Sequence, residues 1–217
     1  MKKGLKVVLV LLCLLGVILS TLFYYAYHQY YNYLEARKII RSIERDFPEL
    51  EKKLATATRF YPGPVFWLER GRLFLWRAMA EIEFAEPVNG TTYLEQANQA
   101  LIKAIQGCPV DYEAFWELSK VYLLYNYPVP VYADKGRKLG QEAVCRHPFN
   151  EFTNLNVLLV FFEQWPLLDD QEKDWVKDRL KILTEADSAF VEKLKGRWRA
   201  DHRETKTLET RLQELGW

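Results

Sequence analysis

The side chains best suited to chemistry are few and scattered. The three His are His28, His147 and His202, and none has a Cys, a second His or an acid at the spacing of a metal-ligand pair. There is no nucleophile elbow and no phosphate-cradling glycine loop. The pair Asp169–Asp170 reads as helix capping rather than as acid/base carboxylates. The sequence therefore predicts a protein that is not an enzyme, with no catalytic residue, no metal site and no cofactor. Cys108 directly precedes Pro109, and Cys145 stands three residues before Pro148. Either they bridge in an oxidising compartment, or they are two buried small apolar residues, which is the preferred reading. Cys13 reads as a membrane-core residue. Asn89–Thr91 matches a glycosylation acceptor and also makes a turn without one; the turn is preferred. The run Lys193–Arg199 holds four basic residues, Lys193, Lys195, Arg197 and Arg199, around Trp198. It would dock on anionic lipid or an acidic partner, or else form an ordinary solvated helix face balanced by Asp201, Glu204 and Glu209.

The composition narrows the classes further. The chain has 217 residues, 49% of them hydrophobic, with 30 basic and 29 acidic side chains. That apolar content excludes wholesale disorder. The charge balance speaks against a nucleic-acid partner held through a basic surface. The first 30 residues carry three Lys and no acid, which leaves 27 basic and 29 acidic residues in the remainder.

That cationic start precedes an uncharged run of 20 residues, Val7 to Ala26. Roughly 20 apolar residues in a helix cross a hydrocarbon core of about 30 Å. Lys2, Lys3 and Lys6 precede it, and Tyr24, Tyr25, Tyr27, Tyr30, Tyr31 and Tyr33 mark its exit. A cleaved signal peptide is the alternative, but Tyr24 sits where a small residue belongs before a cut at Ala26. The basic start favours a cytoplasmic N-terminus and a body outside the cytoplasm. Arg37, Lys38 and Arg41 at the other flank argue for the opposite orientation. The Lys-rich start suits a bacterial inner-membrane protein with a periplasmic domain.

Beyond the anchor every signal is helical, and no alternating strand pattern bounded by hairpin turns appears. Residues 27–60 read as a helical stalk, with a new helix starting at Asp46–Pro48. The run Phe60–Pro64, with two prolines and a glycine, separates it from the domain proper. Helices are expected over 65–85, then from Thr92 to about Gln106 after a loop at Pro87–Gly90. The Thr92–Glu95 spacing suggests a capping box. Asp111 caps the next helix, Tyr127–Pro130 breaks the chain, and a helix over 134–145 follows. The apolar stretch Phe152–Phe162 ends at Trp165–Pro166. Asp169 with Glu172 opens another capped helix, and a single charged helix is expected over 188–215.

These helices fall into Pro-terminated pairs. Trp67, Gly71 and Phe74 are followed by Ala97, Leu101, Ala104 and Pro109. Phe115, Leu118, Ser119 and Tyr122 are followed by Gly136, Gly140, Ala143 and Pro148, and Asn154, Val157, Leu158 and Phe161 begin a third. The pattern resembles the tetratricopeptide repeat, whose unit of about 34 residues pairs large and small positions in this way. Small residues let two helices approach, large ones fill the space beside them, and the proline sets the next turn. Arg70 stands where Leu is usual, Gly140 occupies a large position, and both loops are expanded. An ordinary antiparallel bundle is the competing reading.

The apolar run and the resemblance together give the expected fold, all-α: a single N-terminal transmembrane helix followed by a tetratricopeptide-like antiparallel helical-repeat domain. The implied divisions are 1–6 cytoplasmic, 7–26 transmembrane, 27–60 stalk, 65–166 repeats and 167–217 charged C-terminal helices. The resemblance also implies a partner-binding groove lined by the first helix of each pair. By position the groove residues are Leu68, Arg72 and Leu75; Glu113, Trp116, Lys120 and Leu123; and Phe152, Leu155, Leu159 and Phe162. The third set is so apolar that a partner or the chain's own later helices must cover it. The expected function is a membrane-anchored scaffold for protein–protein interaction in secretion, envelope assembly or surface-polysaccharide machinery, with lipid contacted through residues 7–26. The alternatives are a glycan-binding accessory protein, stacking sugars on Trp67, Trp76 and Trp116, and a structural subunit of a larger membrane complex.

Overall fold

The computed structural model describes residues 2–40, 47–60, 63–84, 87–125 and 132–217. Ten α-helices and one 3-10 turn make up its regular structure, with no strand among the described residues. The chain divides into two compact units, residues 1–109 and 110–217. The expected repeat region over 65–166 is therefore shared between them. Parts of the expected breakers, Tyr61–Pro62 and Tyr127–Pro130, lie outside the described residues, as does Asp46.

The first unit holds α1 (Lys2–Ile40), α2 (Phe47–Phe60), α3 (Pro64–Phe84) and α4 (Pro87–Gly107). At 1.5 Å per residue α1 is about 58 Å long, more than a bilayer's thickness. Within it Leu11–Glu35 is apolar and long enough to cross a membrane. Residues 11–28 are all exposed, so this is not the core helix of the unit. Further along, Gln29 is buried and donates its side-chain amide to the Ala57 carbonyl, which ties α1 to α2. The α2 helix packs Leu50 and Leu54 against Leu73 of α3, with Phe47 beside them.

Three glycines set the register of α3 against α4. A Cβ on Gly107 would meet Pro64 at 2.7 Å, one on Gly71 would meet Leu101 at 2.5 Å, and one on Gly90 would meet Ile82 at 2.6 Å. These contacts run in opposite directions along the two helices, so the pair is antiparallel. Each is closer than a real Cβ tolerates, and the missing methyl is what allows the approach. The expected loop at Pro87–Gly90 is instead the first turn of α4. Proline is well placed there, because a helix leaves its first amides unpaired and the ring presets φ. Thr92 and Glu95 consequently lie inside the helix rather than capping it, and Asn89–Thr91 is helical rather than a turn.

The second unit holds α5 (Tyr112–Tyr125), α6 (Ala133–Arg146), α7 (Glu151–Glu163), a 3-10 turn at Trp165–Leu167, α8 (Asp170–Ala186), α9 (Phe190–His202) and α10 (Lys206–Glu214). Side chains cap the starts of α5, α7 and α8. Asp111 accepts from the Glu113 amide (3.0 Å) and Asn150 from Thr153 (2.8 Å). Asp169 and Glu172 form the expected capping box. The α5–α6 joint uses small residues again. Ser119 donates to the Gly136 carbonyl (2.6 Å), and a Cβ on Gly136 would meet Leu123 at 2.8 Å. Gly140 leaves room for Val157 of α7, 3.3 Å from where its Cβ would stand.

The single helix expected over 188–215 is two helices. Arg203 adopts φ 59°, the left-handed conformation that ends a helix, and the Glu204 carboxylate accepts the Thr207 amide (3.1 Å) at the new start. That bond holds the Glu204 carboxyl below its ordinary pKa.

Candidate functional site

Of the eleven expected groove residues, five are buried, five half-buried and one exposed. On α3, Leu68 and Leu75 are buried, and the half-buried Arg72 pairs with Glu69 (3.0 Å). On α5, Trp116 is buried, Glu113 accepts from the Tyr112 hydroxyl (3.2 Å), and Lys120 pairs with Glu117 (2.5 Å). Leu123 packs at Gly136. On α7, Leu159 and Phe162 are buried, Leu155 is half-buried and Phe152 is exposed. The chain's own later segments cover Phe162: Trp165 stacks on its ring at 5.5 Å, and Arg211 of α10 donates to its carbonyl.

The basic run on α9 is largely matched by acids. Lys193 bonds Glu151 (2.6 Å) and Asp187 (2.9 Å), Lys195 pairs with Glu192 (3.0 Å), and Arg197 with Asp201 (3.5 Å). The bonds from Glu151 and Asp187 raise the Lys193 pKa. The bond from Lys193, with the Ala189 amide, lowers that of Asp187. Arg199 is exposed, while Trp198 is buried and stacked on His202 at 4.0 Å.

The remaining candidates also have structural surroundings. His28 bonds Asn32 (3.0 Å), His147 stacks on Tyr112 (4.8 Å), and His202 faces Glu163 (3.4 Å). Among the described residues no group of three or more His, Cys, Asp or Glu could hold a metal ion. Both Cys108 and Cys145 are free thiols; Cys108 is half-buried and Cys145 is exposed rather than buried. Cys145 lies in the last turn of α6, on the side turned away from buried Ala143 and Val144.

One open cleft gathers side chains that can bind. It has a volume of about 240 Å³ and lies in the first unit. Trp67, Arg70 and Phe74 of α3 form one wall at helical spacing. Gln96, Gln99, Ala100 and Lys103 of α4 form the other, and Glu51 of α2 closes one side. The Lys103 ammonium sits 4.3 Å from the centre of the Trp67 ring. The Arg70 guanidinium lies 5.6 Å from Trp67 and 5.5 Å from Phe74, and donates to Thr58 (3.1 Å). Glu51 pairs instead with Arg77 (2.8 Å). No carboxylate among the described residues forms an ion pair with Arg70 or Lys103. Two cations, two amides and an indole face make a receptor for one acidic group. Its volume falls below the 300–1,000 Å³ typical of drug-sized ligands, so it suits a single side chain or ring.

Sequence reading missed Gln96, Gln99 and Lys103. The signal present was Arg70 itself, the departure from Leu at a position where the repeat pattern needs an apolar residue.

No protein-family model, curated protein or solved structure matches this chain.

Proposed function

We propose that this chain is a membrane-anchored, tetratricopeptide-like scaffold that holds a partner protein at the bacterial inner membrane, with its helical body in the periplasm. The observation that carries the reading is the Trp67 cleft, where Arg70 and Lys103 offer two positive charges to an incoming acidic side chain. A point of contact that is preformed and cationic favours an acidic segment of a protein. The exposed apolar stretch of α1 supports the anchor. The basic start, Lys2, Lys3 and Lys6, supports the orientation. The repeat reading draws support from equivalent joints in the two helix pairs: Gly71 against Leu101, and Ser119 against Gly136 and Gly140. The glycan reading is weakened by its own platforms. Trp116 is buried, and Trp67 and Trp76 are half-buried, with a lysine over the Trp67 face.

A photocrosslinker at Gln99, used on the full chain in native membranes, tests the proposal. The expected result is one dominant captured protein that disappears when Arg70 and Lys103 are both replaced by Glu. Capture unaffected by that charge reversal, or retention of polysaccharide in place of protein, would overturn it. Exchanging α1 for an unrelated anchor separates the subunit reading: a groove binder tolerates the exchange and a structural subunit does not.

A further inference from the structure

Helix α9 lies beside α7 and is tied to it at both ends. Lys193, in the first turn of α9, bonds Glu151, the first residue of α7 (2.6 Å). His202, the last residue of α9, faces Glu163, the last residue of α7 (3.4 Å). The two helices therefore run in the same direction. Between the ties, Leu194 and Trp198 of α9 are buried.

The two ties answer differently to protons. Lys193 also bonds Asp187 (2.9 Å), which raises the lysine pKa and lowers that of the aspartate, so this end stays charged through neutrality. At the other end His202 Nδ1 lies 3.2 Å from the Trp198 carbonyl. A carbonyl oxygen only accepts, so Nδ1 carries the hydrogen. In a neutral ring Nε2 then presents a lone pair, and it presents that lone pair to a carboxylate. Two acceptors 3.4 Å apart repel unless a proton lies between them. Stacking on Trp198, 4.0 Å away and 11° from parallel, holds the ring in this position.

The other charged groups that act on this end are Asp201 of α9 and Arg211 of α10. Asp201 pairs with Arg197 (3.5 Å), and Arg211 donates to the Phe162 carbonyl. Glu204, just past α9, accepts the Thr207 amide (3.1 Å). Each is engaged elsewhere, which leaves the proton to the His202–Glu163 pair.

We propose that the α7–α9 joint is a proton-operated clasp: a proton shared by His202 Nε2 and the Glu163 carboxylate holds the last turns of α9 closed, and its loss as pH rises lets them lift while the Lys193 end stays docked. Imidazole is the side chain whose charge changes between about pH 5 and 8. Burial, which raises the Glu163 pKa, helps the pair to keep its proton. Arg203 follows His202 in the left-handed conformation and turns the chain there, so α9 can lift without being continued by α10. Lifting these turns bares Trp198, which is 2% exposed when the clasp is closed. Acidity thereby sets how often this end of α7 loses its cover.

Native-state hydrogen exchange of the full chain in detergent tests the clasp, with rates corrected for the intrinsic effect of pH. Opening at amides 198–203 should rise about two- to fivefold from about pH 5 to 8, the scale of a partly exposed pair. Amides 193–195 should show no such rise. Glu163→Gln offers Nε2 an N–H in place of the lost proton and should flatten the slope. His202→Gln, whose amide donates to Glu163 at every pH, should do the same. A slope that survives either substitution overturns the assignment to this pair. An unaltered chain with no slope, or one that opens toward acid, overturns the clasp itself. An equal rise along the whole of α9 overturns the fixed Lys193 end.

Discussion

Arg70 of the first unit and two arginines of the second, Arg137 and Arg179, are used in opposite ways. In the first, Arg70 lies beside the aromatic faces of an open cleft and, among the described residues, bonds a threonine hydroxyl (3.1 Å) and no carboxylate. In the second, Arg137 and Arg179 are buried and bonded internally. Arg137 makes two bonds to Glu172 (2.6 and 3.2 Å) and one to Gln164 (2.8 Å), locking α6 to the start of α8 and the end of α7. Arg179 bonds Asn154 (2.8 Å) and the Pro148 carbonyl, which fixes α8 to the turn between α6 and α7. Burial lowers the Arg179 pKa below its ordinary value, yet a guanidinium stays charged and supplies a donor to each acceptor. A buried arginine whose donors are used holds helices together, whereas Arg70 has donors that no carboxylate among the described residues takes up.

The largest expected effect tests that contrast directly. Arg137→Ala should destabilise the second unit by about 3–5 kcal/mol, because it strands a buried carboxylate that also closes the α8 capping box. Arg70→Ala should cost no more than about 1 kcal/mol, the scale of an exposed cation–π contact. Urea unfolding of the full chain in detergent, followed by tryptophan fluorescence, reads both. Equal losses would erase the distinction between the units.

The helix joints provide the next comparison. Gly71→Ala should destabilise the first unit by about 1–3 kcal/mol, since the new methyl collides with the branched carbon of fully buried Leu101. Gly71→Ala combined with Leu101→Ala should cost less than the sum of the two single losses, a non-additivity expected only if the two positions touch. At the corresponding joint of the second unit, Ser119→Ala removes one bond to the Gly136 carbonyl and should cost about 1 kcal/mol. The first joint thus depends on shape and the second partly on a hydrogen bond. Gly196, where an added methyl would have nothing within 4 Å, is the control. Gly196→Ala should stabilise α9 by about 0.5–1 kcal/mol, the usual gain in a helix interior.

Local physics was legible in the sequence where a single segment decides it. Helix α3 falls one residue from its expected bounds, α6 extends the expected 134–145 by one residue at each end, and Asp169–Glu172 caps α8 as its spacing indicates. Failures came where one residue type serves two purposes. Pro87 and Asn89–Gly90 look like a loop, but proline also suits a first helical turn. Arg203 breaks the terminal helix in a left-handed conformation that neither glycine nor proline announces. Hydrophobic period shows which face of a helix is apolar and not what covers it, so the Phe162 face could not be assigned to the chain's own α10. The Trp67 cleft depends on the register between α3 and α4, set by contacts about 8 to 43 residues apart in sequence.

The smallest expected effect lies at Glu163, where α7 faces α9. Burial raises its carboxyl pKa, opposed by the His202 ring at 3.4 Å, raised again by Asp201 and lowered by Arg211. A carboxyl whose pKa is higher in the fold than in the unfolded chain favours the folded state in its neutral form. That contribution is fully present below the ordinary carboxylate pKa and is lost as pH rises through the raised value. Glu163→Gln keeps the shape and removes the titration. The variant should therefore gain on the parent as pH climbs from the carboxylate range toward neutrality, and match it in acid. The gain should be slight, because the side chain is 45% exposed and solvent screens it. Urea midpoints of both proteins across that pH range decide the matter. A gap that widens toward acid would mean that attraction to His202, rather than burial, governs the carboxylate. Glu163 would then join Arg137 and Arg179 among the charges that hold the second unit together.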